Sequence, residues 1–245
     1  MMTRPKEFRV LAGMLLAVVL SLPLGWSPAA AALEGGRYSS LQSAVVYVDD
    51  DFTTSTPGWG IDHFAVIQDG VNAVAPGGTV NVAEGNYAGQ VVIDRDLTLL
   101  GAAKTSVIYG VEGMPTCFSN IYGESRPAVC LQGDVSATIE GFGIEWGGEG
   151  PPDSSFRGIA VSDAAGIGED GVNLVEIANN QINYPVSSFF LNQGSVGIEV
   201  DAGYGSGHLS IQIHHNEVIG FDQAIRFHQC NPSFDEVCGS GVFNH

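Results

Sequence analysis

A short apolar phrase returns along this chain at a nearly constant interval. It stands at residues 139–144 (IEGFGI), 177–182 (IANNQI) and 213–218 (IHHNEV), with an earlier copy within 97–101 (LTLLG). The steps from Leu99 through Ile139 and Ile177 to Ile213 are 40, 38 and 36 residues. Such a period, filled with short strands, is typical of a solenoid in which each coil buries its apolar face against its neighbours. We therefore expect Ile139, Ile177 and Ile213 to lie above one another in one hydrophobic column.

A second phrase alternates with the first and completes each coil. It stands at residues 158–161 (GIAV), 197–200 (GIEV) and 224–227 (AIRF). The strands are short and bounded by Gly, Asn or Asp, and parallel crossovers are right-handed. The sequence therefore predicts an all-β fold, a right-handed parallel β-helix. Asn180 and Asn216 occupy equivalent places, and we expect them to form an amide ladder between coils in the left-handed turn conformation.

The two ends of such a stack expose unpaired backbone groups. Apolar residues recur at helical spacing over residues 64–75, Asp62 precedes them as an N-cap, and Pro76 follows them. This pattern predicts a short α-helix that covers the first coil. No comparable cap follows the last coil, where residues 242–243 resemble the start of another strand. Final loops, an end-to-end contact with another subunit, or further coils of a longer chain would each close this end.

The first 32 residues have the features of a secretory signal peptide. A basic start precedes the apolar run 10–24, and the alanines at 29–32 offer an A-x-A cleavage site. An uncleaved N-terminal anchor is the alternative, and no later apolar stretch is long enough to cross a bilayer. We expect a secreted protein, either extracellular or periplasmic.

The chain is strongly acidic, with a formal net charge of −18. Without residues 1–32, six basic and 26 acidic residues remain, a net charge of −20. This charge disfavours nucleic acid as a partner because the phosphate backbone would be repelled, and it suits cations.

Four cysteines follow the predicted signal. Cys117 and Cys130 are 13 residues apart, and Cys230 and Cys238 are 8 apart. In an exported chain the simplest pairing is local, which gives two disulfide-closed loops. Metal ligation is the alternative, although the spacings lack the C-x-x-C form.

Strand alternation predicts a small charged group on the outside of the solenoid. Ile and Val of residues 197–200 face inward, so Glu199 and Asp201 face outward, and the next coil presents Arg226 and His228 in the same way. In register, Arg226 lies over Glu199 and His228 over Asp201. The group is a candidate acid/base site for a lyase. The alternative is a pair of cross-strand charge contacts, and His214 in a neighbouring column is expected to be ordinary surface.

Two further sets of residues are candidate ligand sites. Asp49, Asp50 and Asp51 suggest calcium, with Asp49 and Asp51 as ligands. Neighbouring side chains on a strand point to opposite faces, however, so a turn or capping role is the alternative.

The coils contain more residues than a bare coil of the solenoid needs. We therefore expect the extra residues to form loops that leave the solenoid at residues 145–156 and 183–194. Their aromatic residues could form a sugar-stacking wall; plain packing over the coil is the alternative. The wall would comprise Trp146, Tyr184, Phe189 and Phe190.

The opening of the chain resembles the pectin-lyase-like superfamily of right-handed parallel β-helix proteins. The resemblance rests on residues 46–52 (VYVDDDF), 58–60 (GWG), 62–68 (DHFAVIQ), 76–87 (PGGTVNVAEGNY) and 92–101 (VIDRDLTLLG), and on the repeated phrases to about residue 228. It implies a β-helix domain over residues 45–245, with a cap at 45–78 and coils at 79–245. The resemblance is specific for the fold and not for an activity.

Catalytic signatures of that superfamily are not evident in the sequence. There is no Asp-His-Asp-Gly run, as in polygalacturonase-like hydrolases, and no Arg-x-Pro-x-x-Arg, as in pectate lyases. We therefore expect a non-catalytic secreted or surface protein that engages polysaccharide or a cell-envelope component. The alternative is a polysaccharide lyase or related carbohydrate-active enzyme acting on acidic glycans.

Overall fold

The described residues form a parallel β-solenoid of five coils. The computed structural model describes residues 42–120, 123–148, 155–162, 172–184, 194–201, 208–228 and 242–243. Three strands form each coil, and they lie in three separate sheets, here A, B and C, that the chain visits in turn. Pairing between successive coils is parallel in all three sheets. The predicted β-solenoid is confirmed.

The elements follow the chain in a regular order. Before the first coil come β1 (Ser43–Val48), β2 (His63–Phe64) and α1 (Ile67–Ala73). The first coil is β3 (Val74–Val82), β4 (Gly85–Ala88) and β5 (Val91–Ile93), and the second is β6 (Leu97–Leu100), β7 (Ser106–Gly110), the side strand β8 (Phe118–Asn120) and β9 (Gly123–Gln132). The third is β10 (Ala137–Glu140), β11 (Phe142–Trp146) and β12 (Phe156–Ser162), and the fourth is β13 (Val172–Ala178), β14 (Gln181–Asn183) and β15 (Val196–Asp201). The fifth is β16 (His208–His214), β17 (Glu217–Ile219) and β18 (Gln223–His228), followed by β19 (Val242–Phe243).

The predicted hydrophobic column runs through sheet A. Leu99 pairs with Ile139, Ile139 with Ile177, and Ile177 with Ile213. The first three of these side chains have no solvent exposure, and Ile213 packs against them from the last coil. The repeat in the sequence therefore has its expected cause, which is burial of one apolar residue per winding.

Glycine in the second phrase serves close packing between sheets. A Cβ at Gly158 would lie 2.3 Å from Ile182 Cγ2, and a Cβ at Gly197 would lie 2.3 Å from Val218 Cγ1. Each glycine thus makes room for a sheet B side chain of the next coil. Because a carbon cannot approach another within that distance, any larger residue would push sheets B and C apart.

The amide ladder is present between coils three, four and five. Asn180 Oδ1 accepts from the Phe142 N–H at 3.0 Å, and Asn216 Oδ1 accepts from the Asn180 N–H at 3.0 Å. The predicted backbone conformation is wrong by one residue, because the positive φ angles belong to Asn179 (57°) and His215 (56°). The preceding residue makes the turn, which leaves the asparagine side chain directed into the stack.

The helix covers the first coil, but it is shorter than predicted. The chain is held extended through Phe64 by pairing of β2 with β1, so α1 begins only at Ile67. Val66 is the N-cap and has no side-chain capping bond, which makes the prediction of Asp62 wrong. Gln68 on the helix hydrogen-bonds to the edge strand β5 as a further strand would. Its side-chain amide accepts from the Val92 N–H at 2.7 Å and donates to the Val92 carbonyl at 3.1 Å.

At the opposite end, β19 lies antiparallel to β18, so the predicted extra strand exists but reverses direction. β16 and β17 are the last described strands of sheets A and B. Inward side chains of this coil remain only partly buried among the described residues: Ile211, Ile213, Val218, Ile225 and Phe227. End-to-end association at this coil therefore remains a prediction.

Longer connections leave the solenoid at the corner between sheets B and C. Twelve residues separate β7 from β9, nine separate β11 from β12, and twelve separate β14 from β15. The connection at the same corner is two residues long in the first coil and three residues long in the fifth. The prediction that the loops leave successive coils at the same point is therefore confirmed.

One predicted disulfide is present. Cys117, which lies in the loop after β7, is bonded to Cys130 on β9. Cys230 and Cys238 lie outside the described residues. In the described part of the chain, no helix has the length and apolar character needed to cross a membrane.

Candidate functional site

The outward side of sheet C holds the four residues that the sequence indicated as an acid/base group. β15 and β18 pair in the predicted register, with Glu199 beside Arg226 and Asp201 beside His228. The structure therefore brings the four residues together on adjacent strands.

The predicted exposure of Glu199 is wrong, because its side chain is only 1% exposed. Arg157 Nε donates to Glu199 Oε2 at 2.7 Å, and His228 Nε2 lies 2.9 Å from Oε1. The Arg226 guanidinium lies 3.6 Å from the same Oε1. Three potentially cationic side chains therefore enclose one carboxylate, and we name Arg157, Glu199, Arg226 and His228 the charge cluster.

Arg157 is the member of the charge cluster that the sequence reasoning missed. Its side chain is 3% exposed, and its guanidinium also donates to the Phe156 carbonyl at 2.9 Å. Ala160 precedes Glu199 in the same column of sheet C, as predicted. We infer that this small side chain leaves room beside Glu199 for the Arg157 guanidinium. A signal for this contact is present in the sequence. Arg157 stands directly before Gly158 of the second phrase, and Glu199 stands inside the next copy of that phrase.

The environment of Glu199 stabilises its ionised form. Burial by itself raises the pKa of this carboxyl, because the charged form loses water. The hydrogen bond from His228 and the charge and hydrogen bond of Arg157 outweigh burial and lower the pKa from 4.5 to about 2. Ser125 contributes in the same direction. Its hydroxyl is buried and has no partner at ordinary hydrogen-bond length among the described residues.

The segment that the Cys117–Cys130 disulfide closes, here the disulfide-tied segment, lies on the same side of sheet C as the charge cluster. Cys130 pairs with Ala160, which in turn pairs with Glu199, so the cystine stands in the column of the charge cluster. β8 pairs antiparallel with the first half of β9, with Phe118 opposite Ser125. The segment thus anchors the strand from which Ser125 faces Glu199.

The charge cluster is built as an internal ion-pair network. The Arg226 and His228 side chains are only 11% and 10% exposed, and both are directed at the Glu199 carboxylate. Asp201 is partly buried and has a partner of its own. A polymer on the surface has little access to the Glu199 carboxylate without displacing these side chains.

A separate cleft of about 240 Å³ opens at the loop-bearing corner between sheets B and C. It lies between the loops of coils two and three. Residues from both loops and from β9, β11 and β12 line it: Val111, Glu112, Gly113, Met114, Arg126, Trp146, Ser155 and Phe156. We name this the corner cleft. It combines an indole, a guanidinium and a carboxylate within one small concave surface.

The predicted aromatic wall is only partly formed by the described residues. Trp146 lines the corner cleft and meets Phe156 edge to face, with ring centroids 5.2 Å apart. Tyr184 is 2% exposed and packs edge to face against Phe221 at 5.2 Å, so the prediction that its ring is available to a ligand is wrong. Phe189 and Phe190 lie outside the described residues. Phe156, which sequence reasoning overlooked, packs between Trp146 and the interior aromatic rings.

The aspartates at residues 49–51 form turn and edge contacts. Asp49 Oδ1 accepts from the Asp51 N–H at 3.0 Å, and Asp50 Oδ2 accepts from the Asn86 N–H at 3.0 Å, at the edge of β4. Burial, together with the neighbouring Asp50 charge, raises the pKa of Tyr87 to about 12. These contacts support the turn and capping role over a shared calcium site. Within the described ranges, no three His, Cys, Asp or Glu side chains are grouped to hold a metal ion.

The geometry therefore offers two candidate sites, a charge cluster closed to solvent and a corner cleft open to it. Comparison of the chain with protein-family models, with curated proteins and with solved structures finds no match.

Proposed function

We propose that this protein is an exported, non-catalytic glycan-binding module that holds a sugar residue in the corner cleft. The observation that carries the proposal is the position of Trp146 beside Arg126 and Glu112 in a concave surface at the loop-bearing corner. Aromatic rings bind the apolar faces of sugars, and a few well-placed polar groups orient the hydroxyls.

The size and charge of the corner cleft define the ligand class. Pockets for drug-sized ligands measure about 300–1,000 Å³, so a cleft of about 240 Å³ suits one or two sugar units of a longer chain. Arg126 is held by Glu124 and Thr116, which orients its guanidinium. With a chain net charge of −18, a neutral polysaccharide is favoured over an acidic one.

The lyase alternative has weaker support from the geometry. A lyase needs a base that reaches the α-proton of a uronate residue, within about 3 Å of it. In the charge cluster Arg226 and His228 are both turned towards a buried carboxylate. We therefore assign the charge cluster a structural role.

Export and kinship with the pectin-lyase-like superfamily are part of the same proposal. The Cys117–Cys130 disulfide is typical of an oxidising compartment. The predicted signal at residues 1–32 and the opening phrases of the sequence support export and kinship respectively.

A glycan array probed with the folded chain, with and without calcium, tests the proposal. We expect binding to neutral polysaccharide fragments that Trp146→Ala weakens at least tenfold. Trp59→Ala is the matched control, since Trp59 is also partly exposed but lies in the N-terminal cap region. Binding that survives Trp146→Ala, or its absence from every glycan, would refute the proposal.

A parallel assay covers the lyase alternative. The chain is incubated with pectate, alginate and chondroitin, and unsaturated uronate products are followed by their ultraviolet absorbance. We expect no product. Product formation that Arg226→Ala abolishes would establish the lyase and overturn the structural assignment of the charge cluster.

A further inference from the structure

A histidine pair stands on the outward side of sheet A in the last coil. His214 ends β16, and His215 makes the following turn with a φ of 56°. The same positions of the coil before hold Ala178 and Asn179. The pair is thus a local feature of coil five rather than a requirement of the repeat.

The two imidazole rings are oriented towards each other. Their Nδ1 atoms are 2.8 Å apart, and the ring planes are perpendicular at 89°. On its other side, the His214 ring places Nε2 3.0 Å from the Glu176 carboxylate on the neighbouring strand. Both side chains are solvent-accessible.

We propose that His214 and His215 form a bidentate Cu²⁺ site through their Nδ1 atoms, with water completing the coordination. With metal–nitrogen bonds of about 2.0–2.1 Å, a 90° ligand angle requires nitrogens about 2.8–3.0 Å apart. The two Nδ1 atoms are held 2.8 Å apart by a hydrogen bond between the rings, and this separation is also the one that the square-planar arrangement requires. Tetrahedral Zn²⁺ would require about 3.3 Å at the same bond length. Square-planar nitrogen ligation is typical of Cu²⁺ and Ni²⁺, and the affinity order favours Cu²⁺.

Glu176 is placed to act as the supporting carboxylate. A metal-binding histidine ordinarily donates its second ring N–H to such a group, which fixes the tautomer and the ring orientation. If Nε2 of His214 donates to Glu176, its Nδ1 carries the lone pair that faces His215. The net charge of −18 further favours a divalent cation.

Metal binding needs no net loss of a proton at neutral histidine. The proton between the two Nδ1 atoms leaves His215 Nδ1, and His215 takes up a proton at Nε2 instead. His215 therefore changes tautomer and stays neutral. Rotation of both rings about their Cβ–Cγ bonds must then turn the two lone pairs from the line between the nitrogens towards one ion.

Titration of the full chain with copper sulfate, in the presence of glycine as a weak competitor, tests the site. We expect one Cu²⁺ per chain, with an electron paramagnetic resonance spectrum that shows nitrogen ligation. The variant His214→Ala/His215→Asn restores the Ala-Asn pair of coil four, so it should fold, and circular dichroism checks this. We expect it to lose at least a hundredfold in affinity.

Two further measurements distinguish a built site from a simple contact between rings. Glu176→Gln should weaken Cu²⁺ binding about 10- to 100-fold through loss of the supporting carboxylate, while single variants at either histidine should each remove nitrogen signals. Zn²⁺ should bind at least tenfold more weakly than Cu²⁺. Undiminished copper binding in the double variant, equal binding of Zn²⁺, or no effect of Glu176→Gln would each overturn the proposal.

Discussion

Replacement of Glu199 by glutamine removes the one negative charge at the centre of the charge cluster. The shape of the side chain is kept, but Arg157 then lies buried without its counterion, and Arg226 and His228 lose their shared acceptor. Removal of one partner from a buried pair costs about 3–5 kcal/mol, because the other charge is left uncompensated.

The pKa of Glu199 gives a second route to the same magnitude. The native pKa of about 2 lies well below the value of 4.5 expected in the unfolded chain. At about 1.4 kcal/mol for each pKa unit, ionised Glu199 stabilises the native state by about 3 kcal/mol. Since the native pKa is the lower one, this contribution is complete above pH 4.5 and is lost as the pH falls towards 2.

Urea denaturation of wild type and Glu199→Gln between pH 7 and pH 2.5 measures both effects. Urea is preferred because guanidinium salts screen charges. We expect a difference in the free energy of unfolding of about 3 kcal/mol at pH 7 that shrinks steadily below pH 4.5.

The matched control is Glu217→Gln, which removes an exposed carboxylate 3.7 Å from Lys104. Its cost should stay below about 1 kcal/mol, as is usual for surface ion pairs. A loss for Glu199→Gln no greater than for the control, or a difference that does not change with pH, would refute the electrostatic role assigned to the charge cluster.

Three further changes test the packing of the solenoid. Gly158→Ala places a methyl group 2.3 Å from Ile182 Cγ2 and should destabilise by about 1–3 kcal/mol. Because Ile182→Ala removes part of this clash, the double variant should lose less stability than the sum of the two single variants; thermal melting of all three measures this, and additive losses would contradict the contact. Asn180→Ala leaves the buried Phe142 N–H without its acceptor and should cost about 1–3 kcal/mol in urea melts, whereas a change under about 0.5 kcal/mol would argue against the ladder. Cys117→Ser opens a disulfide between residues 13 apart and should cost about 3 kcal/mol, and equal stability of wild type with and without reductant would contradict this.

Much of the architecture could be predicted because the solenoid is a local, repeated problem. One apolar residue per winding, as at Ile139 and Ile177, is enough to align sheet A, and once it is aligned the pairing of Glu199 with Arg226 follows by counting. The helix limits could not be predicted in this way. Pairing of β2 with β1 holds residues 63–64 extended against their helical spacing, which is a tertiary effect.

The candidate sites depended still more on contacts that are distant in sequence. Strand alternation correctly directed Glu199 away from the core, but it could not predict the exposure of that side chain. Arg157 is 42 residues away along the chain, and it reaches the carboxylate from a neighbouring coil. The position of Trp146 at the edge of the corner cleft likewise depends on residues from two successive coils.

The sequence by itself determined the period, the alternation of strand faces and the local pairing of Cys117 with Cys130, because each arises from residues close in the chain or one winding apart. Tertiary structure alone decided which outward side chains reach solvent. Burial depends on what the loops and the disulfide-tied segment place over a sheet, and no spacing in the sequence records that. For this reason the carboxylate of Glu199 lies in an interior ion-pair network, whereas His214, equally outward by alternation, remains partly exposed.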